Sequence, residues 1–267
     1  MQTFHAPIQL ILLVLLGWVA LASAQSNDKP ILWWRFDEVG GNKAYDASGN
    51  GNTGVFSSAT MTRPNDPVHR GVVQQPSTYA TVTATHVPEL NPGSSNFTVT
   101  LWIKNSQPTI DSVFFVKGNY AGPFTSIYLW TASAGGGVDN YYNGSADISL
   151  GASTSAWKHL AVTRAGTSIT TYANGSQVAT GTHSTSLSNT NNLTLGGASD
   201  ATAWCVCSFS DVRLYYRAMT AAEIRQVYRE GLMPPPAPAS VTDLAAALLL
   251  SPAGGAKGSF FRFFEPQ

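Results

Sequence analysis

Charge is scarce in this chain. Only 11% of its 267 residues are Asp, Glu, Lys or Arg, against about a quarter in an average protein. The two signs balance at 15 each. With no basic surplus to attract phosphate, nucleic acid is excluded as the expected partner. Cysteine is scarcer still, since Cys205 and Cys207 are the only two. Their spacing excludes a C-x-x-C redox centre. Beyond the first two dozen residues no apolar run reaches spanning length, which is about 20 residues. There is no fixed-period repeat, no G-x-S-x-G and no His-x-x-x-His, so two common hydrolase signatures are missing.

What is present begins with an export signal. Ile8–Ala22 is almost wholly apolar, with a core of about 13 residues from Leu10, and it runs into Ala22-Ser23-Ala24. That core is too short for a span, and the small-x-small ending suits a signal peptidase. Residues 1–24 are expected to be a signal peptide cut before Gln25, although the segment ahead of the core offers His5 and no Lys or Arg. The mature protein is expected in a periplasm, on a cell surface or secreted, without a transmembrane span. Residues 25–233 are expected to form one domain. Residues 234–240, opening with Pro234-Pro235-Pro236-Ala237-Pro238, read as a stiff linker. Residues 241–267 read as a disordered tail, with a short helix at Thr242–Leu250 as an option and a docking peptide as the alternative.

Within the domain, short runs rich in Val, Ile, Thr and aromatics alternate with Gly, Asn, Ser and Pro, which is the pattern of an all-β protein. Strands are expected at Ile31–Phe36, Thr53–Phe56, Tyr79–Val82, Phe97–Lys104, Ser112–Lys117 and Ser126–Trp130. More are expected at Asp139–Tyr142, Trp157–Arg164, Ser168–Ala173, Leu193–Leu195 and Phe209–Tyr216. Phe97–Lys104 alternates almost throughout, which predicts one buried and one wet face. Asn174-Gly175 predicts a two-residue hairpin turn with positive φ at both positions. Thr220-Ala221-Ala222-Glu223 reads as a capping box. Ala221, Ile224, Val227 and Tyr228 follow at helical spacing, and Gly231 is expected to stop the helix.

These segments resemble a known family. Trp34-Arg35-Phe36-Asp37-Glu38 and then Asp46-Ala47-Ser48-Gly49-Asn50-Gly51-Asn52-Thr53-Gly54 look like the opening of LamG-like jelly-roll domains, of the concanavalin A-like lectin/glucanase superfamily. Phe97–Ile103, Val116-Lys117-Gly118, Trp157–Thr163, Tyr172–Gly175 and Asp211–Tyr216 follow in the family's order. The resemblance covers about residues 31–231. It implies a two-sheet antiparallel jelly-roll sandwich with one short C-terminal helix, its first strand beside Val212–Tyr216. It also implies a structural calcium where the Asp46–Gly54 loop meets the last strand, with Asp46, Asn52 and Asp211 as candidate ligands. An oxygen-rich loop suits calcium, and an Asx-turn loop is the alternative. Ser210 departs from the family, which tends to carry two acidic residues there.

The functional expectation is a binding module. Polysaccharide hydrolases on this sandwich need two carboxylates across a cleft and carry a clustered Glu-x-Asp-x-Glu. Here Glu89, Asp111, Asp139, Asp147 and Asp200 are scattered singly, so a polysaccharide-cleaving enzyme is the least favoured reading. His159 reads as a sheet-face residue. Tyr120, Tyr141, Tyr142 and Trp204, with Phe124 and Trp130, are candidates to stack on sugar faces. Asp139, Asn140 and Asn143 are candidates to bond hydroxyls. A glycan is the first expected partner and an extracellular protein, through adhesion or assembly, the alternative. Cys205 and Cys207 stay open between buried free thiols, a local disulfide, and a bridge to another chain or a metal.

Overall fold

A computed structural model describes residues 29–69, 71–118, 124–198 and 203–232. The segments expected to be a signal peptide, a proline linker and a tail lie outside the described residues, as does Tyr120. The chain divides into two units after Pro234, and all described residues belong to the first.

Two antiparallel sheets face each other. The seven-stranded sheet runs in the order β1 (Leu32–Trp34), β15 (Cys207–Tyr215), β6 (Phe97–Asn105), β11 (Lys158–Ala165), β12 (Ser168–Ala173) and β13 (Ser176–Thr182). β4 (Val73–Gln74) shares the β1 edge of β15. The eight-stranded sheet runs in the order β10 (Asp147–Ala152), β9 (Val138–Tyr142), β8 (Ile127–Ala132), β7 (Ser112–Lys117), β14 (Leu193–Leu195), β5 (Val82–Ala84), β3 (Gly54–Phe56) and β2 (Lys43–Ala44). The first strand pairs with the last as expected, Leu32 opposite Leu214 and Trp34 opposite Val212. The β12–β13 turn has positive φ at Asn174 (49°) and Gly175 (77°).

The core lies between the sheets because alternate residues point inward. Leu32, Trp34, Phe97, Leu101, Leu129 and Phe209 belong to one buried cluster. A buried ion pair ties the sheets together at one end. Lys158 Nζ donates to Asp139 Oδ2 at 2.9 Å and to the carbonyls of Gly151 and Ala152 at 3.1 and 2.8 Å. Thr131 Oγ1 bonds the other carboxylate oxygen at 2.9 Å. Every charge is met, which is the condition for tolerating an ion pair in a core.

One expectation fails on β6, where Thr98, Thr100 and Trp102 are buried as well as their inward neighbours. The reason is a cover on the outer face of the seven-stranded sheet. Helix α1 (Ala221–Gly231) lays Ile224 and Val227 on Ala161, Tyr172 and Tyr215. Its capping box is formed, with Thr220 and Glu223 bonding reciprocally, a cap of about 1 kcal/mol. Beside it the 66–69 segment brings His69 against Trp102 and Trp157, with ring centroids 4.8 and 4.3 Å apart. Gly231 is the helix's last residue, and a Cβ there would collide with Trp102 Nε1. Its smallness serves packing, so its expected role as a stop signal is corrected.

Candidate functional site

Among the described residues, the outer face of the eight-stranded sheet is less covered. Ile148, Tyr141, Leu129 and Leu193 point into the core, so the residues between them point out. Cross-strand register then sets Asp147 opposite Tyr142, Tyr128 opposite Val116, and Thr194 opposite both Val116 and Thr83. Trp130 stands opposite Asn140 and Val113. An apolar cluster separate from the core forms on this face, with Val113, Val116, Tyr128 and Ala198 buried and Phe124, Trp130, Tyr142 and Ala203 partly buried. Phe124 meets Tyr142 and Tyr128 edge-on at 4.9 and 5.9 Å. Asp147 Oδ1 fixes the Trp130 indole, accepting from Nε1 at 2.8 Å. Trp204, 38% exposed, lies edge-on to Tyr79 at 6.2 Å. The Tyr79 hydroxyl is anchored on the Ala198 carbonyl at 2.8 Å. Half-buried indoles and phenols with pinned polar tips present apolar ring faces beside hydroxyl and carboxylate groups, which suits ligands having one apolar and one hydrogen-bonding side.

Several candidate binders belong elsewhere. Tyr141 is wholly buried, and its hydroxyl lies 2.6 Å from His183 Nδ1. Burial raises its pKa, and it serves the core. Asp139 faces inward to Lys158. Asn143 is spent on its own turn, where Oδ1 accepts from the Ser145 and Ala146 amides at 2.9 and 2.8 Å. Tyr142 and Trp130 do stand in the outer cluster, and Trp204 lies beside it. Tyr128 and Tyr79 were not anticipated. The alternation Ile127-Tyr128-Leu129-Trp130 carried the signal for Tyr128.

The proposed calcium ligands do not fit the ion. Asp46 Oδ1 accepts from the Trp33 and Ser48 amides at 2.9 and 3.0 Å. Its Oδ2 accepts from Ser48 Oγ and the Asn52 amide at 2.8 and 2.9 Å. The Asn52 side chain donates to the Ile31 carbonyl at 2.8 Å. Asp211 takes a bidentate guanidinium, from Arg213 Nε and Nη2, both at 2.9 Å, and the Trp33 indole at 2.6 Å. Calcium needs six to eight oxygens with free lone pairs, whereas these carboxylates face N–H and O–H donors. The loop is the Asx-turn alternative, and the cation on Asp211 belongs to the chain itself. Among the described residues no three His, Cys, Asp or Glu gather as a metal site.

Cys205 and Cys207 are joined, both buried, with Cα atoms 5.4 Å apart, inside the usual disulfide span. Cys205 precedes β15 and Cys207 opens it, so the pair is not stretched along a strand. His159 is fully buried on the outer face of its sheet, its ring against Trp102 and Tyr228 at 5.4 and 5.8 Å. Burial pushes its pKa down to about 3. No described helix is long and apolar enough to cross a membrane.

A family profile described as the concanavalin A-like lectin/glucanases superfamily (Laminin_G_3) matches residues 76–225. No curated protein matches the chain. Among solved structures, the binding domain of Paraclostridial Mosquitocidal Protein 1 is similar with a TM-score of 0.59 and 17% identity, over 77% of this chain and 53% of that one. Domain 4 of AbnA, a GH43 extracellular arabinanase from Geobacillus stearothermophilus in complex with arabinotriose, gives 0.57 and 17%, over 75% and 98%. The botulinum neurotoxin serotype D ligand-binding domain in complex with N-acetylneuraminic acid gives 0.56 and 14%, over 78% and 52%. The chain spans about half the length of the two toxin domains and nearly all of the arabinanase domain. At such identities the likeness is one of fold.

Proposed function

The chain belongs to the concanavalin A-like lectin/glucanases superfamily, and from that premise we propose that it is an exported, non-catalytic module that binds carbohydrate on the outer face of its eight-stranded sheet. The observation that carries the proposal is the row of outward rings, with Trp130 pinned by Asp147 and Tyr142 packed on Phe124. Rings held in place lose little freedom when a sugar stacks on them, so more of the contact appears as affinity. Two structures of the same fold support the reading, since they were solved with arabinotriose and N-acetylneuraminic acid. The export part rests on the apolar run ending at Ala24. The non-catalytic part rests on scattered carboxylates and on Asp139, the carboxylate of β9, being spent on Lys158.

A glycan array probed with the purified chain is the test. The wild type is expected to retain oligosaccharides, and Trp130→Ala and Tyr142→Ala to weaken that binding about tenfold or more. Unchanged binding in folded variants would remove this face from the reading. A silent array, together with capture of one specific extracellular protein, would select adhesion instead.

A further inference from the structure

The outer face of the seven-stranded sheet holds a pocket of about 170 Å³ where β1 and β15 meet the end of α1. Trp33, Asp211 and Arg213 come from the sheet, Arg35 from just beyond β1, and Glu230 and Gly231 from the helix. We propose that this pocket binds one neutral sugar residue, with the sugar ring against Trp33 and its hydroxyls bridging Arg35 and Glu230. The proposal rests on the carbohydrate reading above and adds a second, separate site to it.

Size sets the first limit. Pockets that enclose a drug-sized ligand measure about 300–1,000 Å³, so this one takes a single ring and not a chain. Charge sets the second. The lining offers two guanidiniums, Arg35 and Arg213, and two carboxylates, Asp211 and Glu230. An anion would meet the carboxylates and a cation the guanidiniums. A neutral polyol can accept from the first and donate to the second.

The groups also divide into frame and contact. Arg213 is spent, with Nε and Nη2 on Asp211 and Nη1 on Glu230 Oε2 at 3.2 Å. The Trp33 indole is fixed by Asp211 Oδ1 at 2.6 Å, and the Arg213 and Arg35 guanidiniums lie over its ring at 4.6 and 5.4 Å. Asp211 sits in the left-handed region at φ 49°, beside a register shift between Ser210 and Arg213. Bulges and strained residues of this kind gather at binding sites. Arg35 has donors to spare. Its Nη2 reaches Asp37 at 2.6 Å, but its Nε is buried without a partner, a donor that gains from an incoming acceptor. The Glu230 side chain accepts from Gln226 at Oε1 and from Arg213 at Oε2, yet it is 42% exposed and each oxygen keeps a lone pair for a ligand hydroxyl.

The test is a ¹H–¹⁵N NMR titration of the full mature chain with methyl glycosides of common hexoses and pentoses. One or more neutral glycosides are expected to shift the Trp33 indole and Gly231 amide signals. The corresponding uronate and amino sugar are expected to bind more weakly. Arg35→Ala, at a side chain that is 32% exposed, is expected to weaken binding about tenfold. Trp33→Phe separates loss of the ring from loss of the indole donor. Shifts confined to the Trp130 and Trp204 indoles would overturn the pocket and leave the carbohydrate reading standing. So would a positive glycan array with no monosaccharide shift at Trp33. Tighter binding of a uronate than of its neutral parent would overturn the ligand class. Silence in both assays would overturn both readings.

Discussion

The two outer faces of this sandwich are built from the same strand alternation and end in opposite conditions. On the seven-stranded sheet, α1 and the 66–69 segment bury Trp102, His159 and Tyr172 to 5% exposure or less. On the eight-stranded sheet, Trp130 and Tyr142 are only partly buried. The covered face works as a second core, and the other keeps aromatic surface for contact. An outward aromatic therefore acquires its role from what the rest of the chain lays over it.

The sharpest way to break this comparison is to truncate one tryptophan on each face. Trp102→Ala is expected to cost about 3–5 kcal/mol, as a large core truncation does, measured by urea unfolding. Trp130→Ala is expected to cost under about 1 kcal/mol while weakening glycan binding. Equal stability losses would erase the distinction.

Acid should expose the covered face next. On that face His159 is held at about 3 by burial; elsewhere, beside Tyr141, His183 is held at about 4 by burial and the nearby Arg164 charge, against about 6.5 when unfolded. Below that value the unfolded chain binds protons that the folded chain refuses. Stability is therefore full above about pH 6.5 and is lost as pH falls toward 4 and 3. The loss should reach a few kcal/mol, read as a falling urea midpoint. His159→Phe, which keeps a ring between Trp102 and Tyr228, should flatten that decline. An unchanged slope would move the acid sensitivity elsewhere.

The smallest effect should come from calcium. Arg213 already serves Asp211, so neither calcium nor a chelator should move the melting temperature by more than about 1 °C. A specific site at a hundredfold its dissociation constant would add about 2.7 kcal/mol, a rise of several degrees. Such a rise would overturn the assignment of Arg213 as the cation of this junction.

Long alternating segments and local turn chemistry were legible in the sequence. Ser112–Lys117, Ser168–Ala173 and Leu193–Leu195 form strands at their expected bounds, and the Asn174-Gly175 turn and the Thr220 box stand as local rules dictate. The two-residue strands Lys43–Ala44 and Val73–Gln74 were not legible, because two residues show no alternation and, for Val73–Gln74, the partner strand lies far along the chain at Ser208 and Phe209. Asp147–Ala152 was missed because a short edge strand ending in Gly151 and Ala152 resembles a loop. Tyr141 and Tyr142 show the limit at the site. Adjacent residues on a strand face opposite sides, and an inward Asp139 beside them disguised which phase was the core. The pocket residues Trp33 and Arg35 alternate visibly with Leu32 and Trp34. What they face comes from β15 and α1, about 180 residues later.

That same distance governs the order in which the molecule can be completed. Leu32 stands in register with Leu214, and the Ile31 amide donates to the Leu214 carbonyl at 2.7 Å. At synthesis rates of about 5–20 residues per second, β1 waits roughly 10–40 s for its neighbour. Contacts so far apart in sequence also slow the folding search itself. A chain cut even slightly short of Leu214 would leave its first strand with an empty edge, a surface prone to pair with other chains.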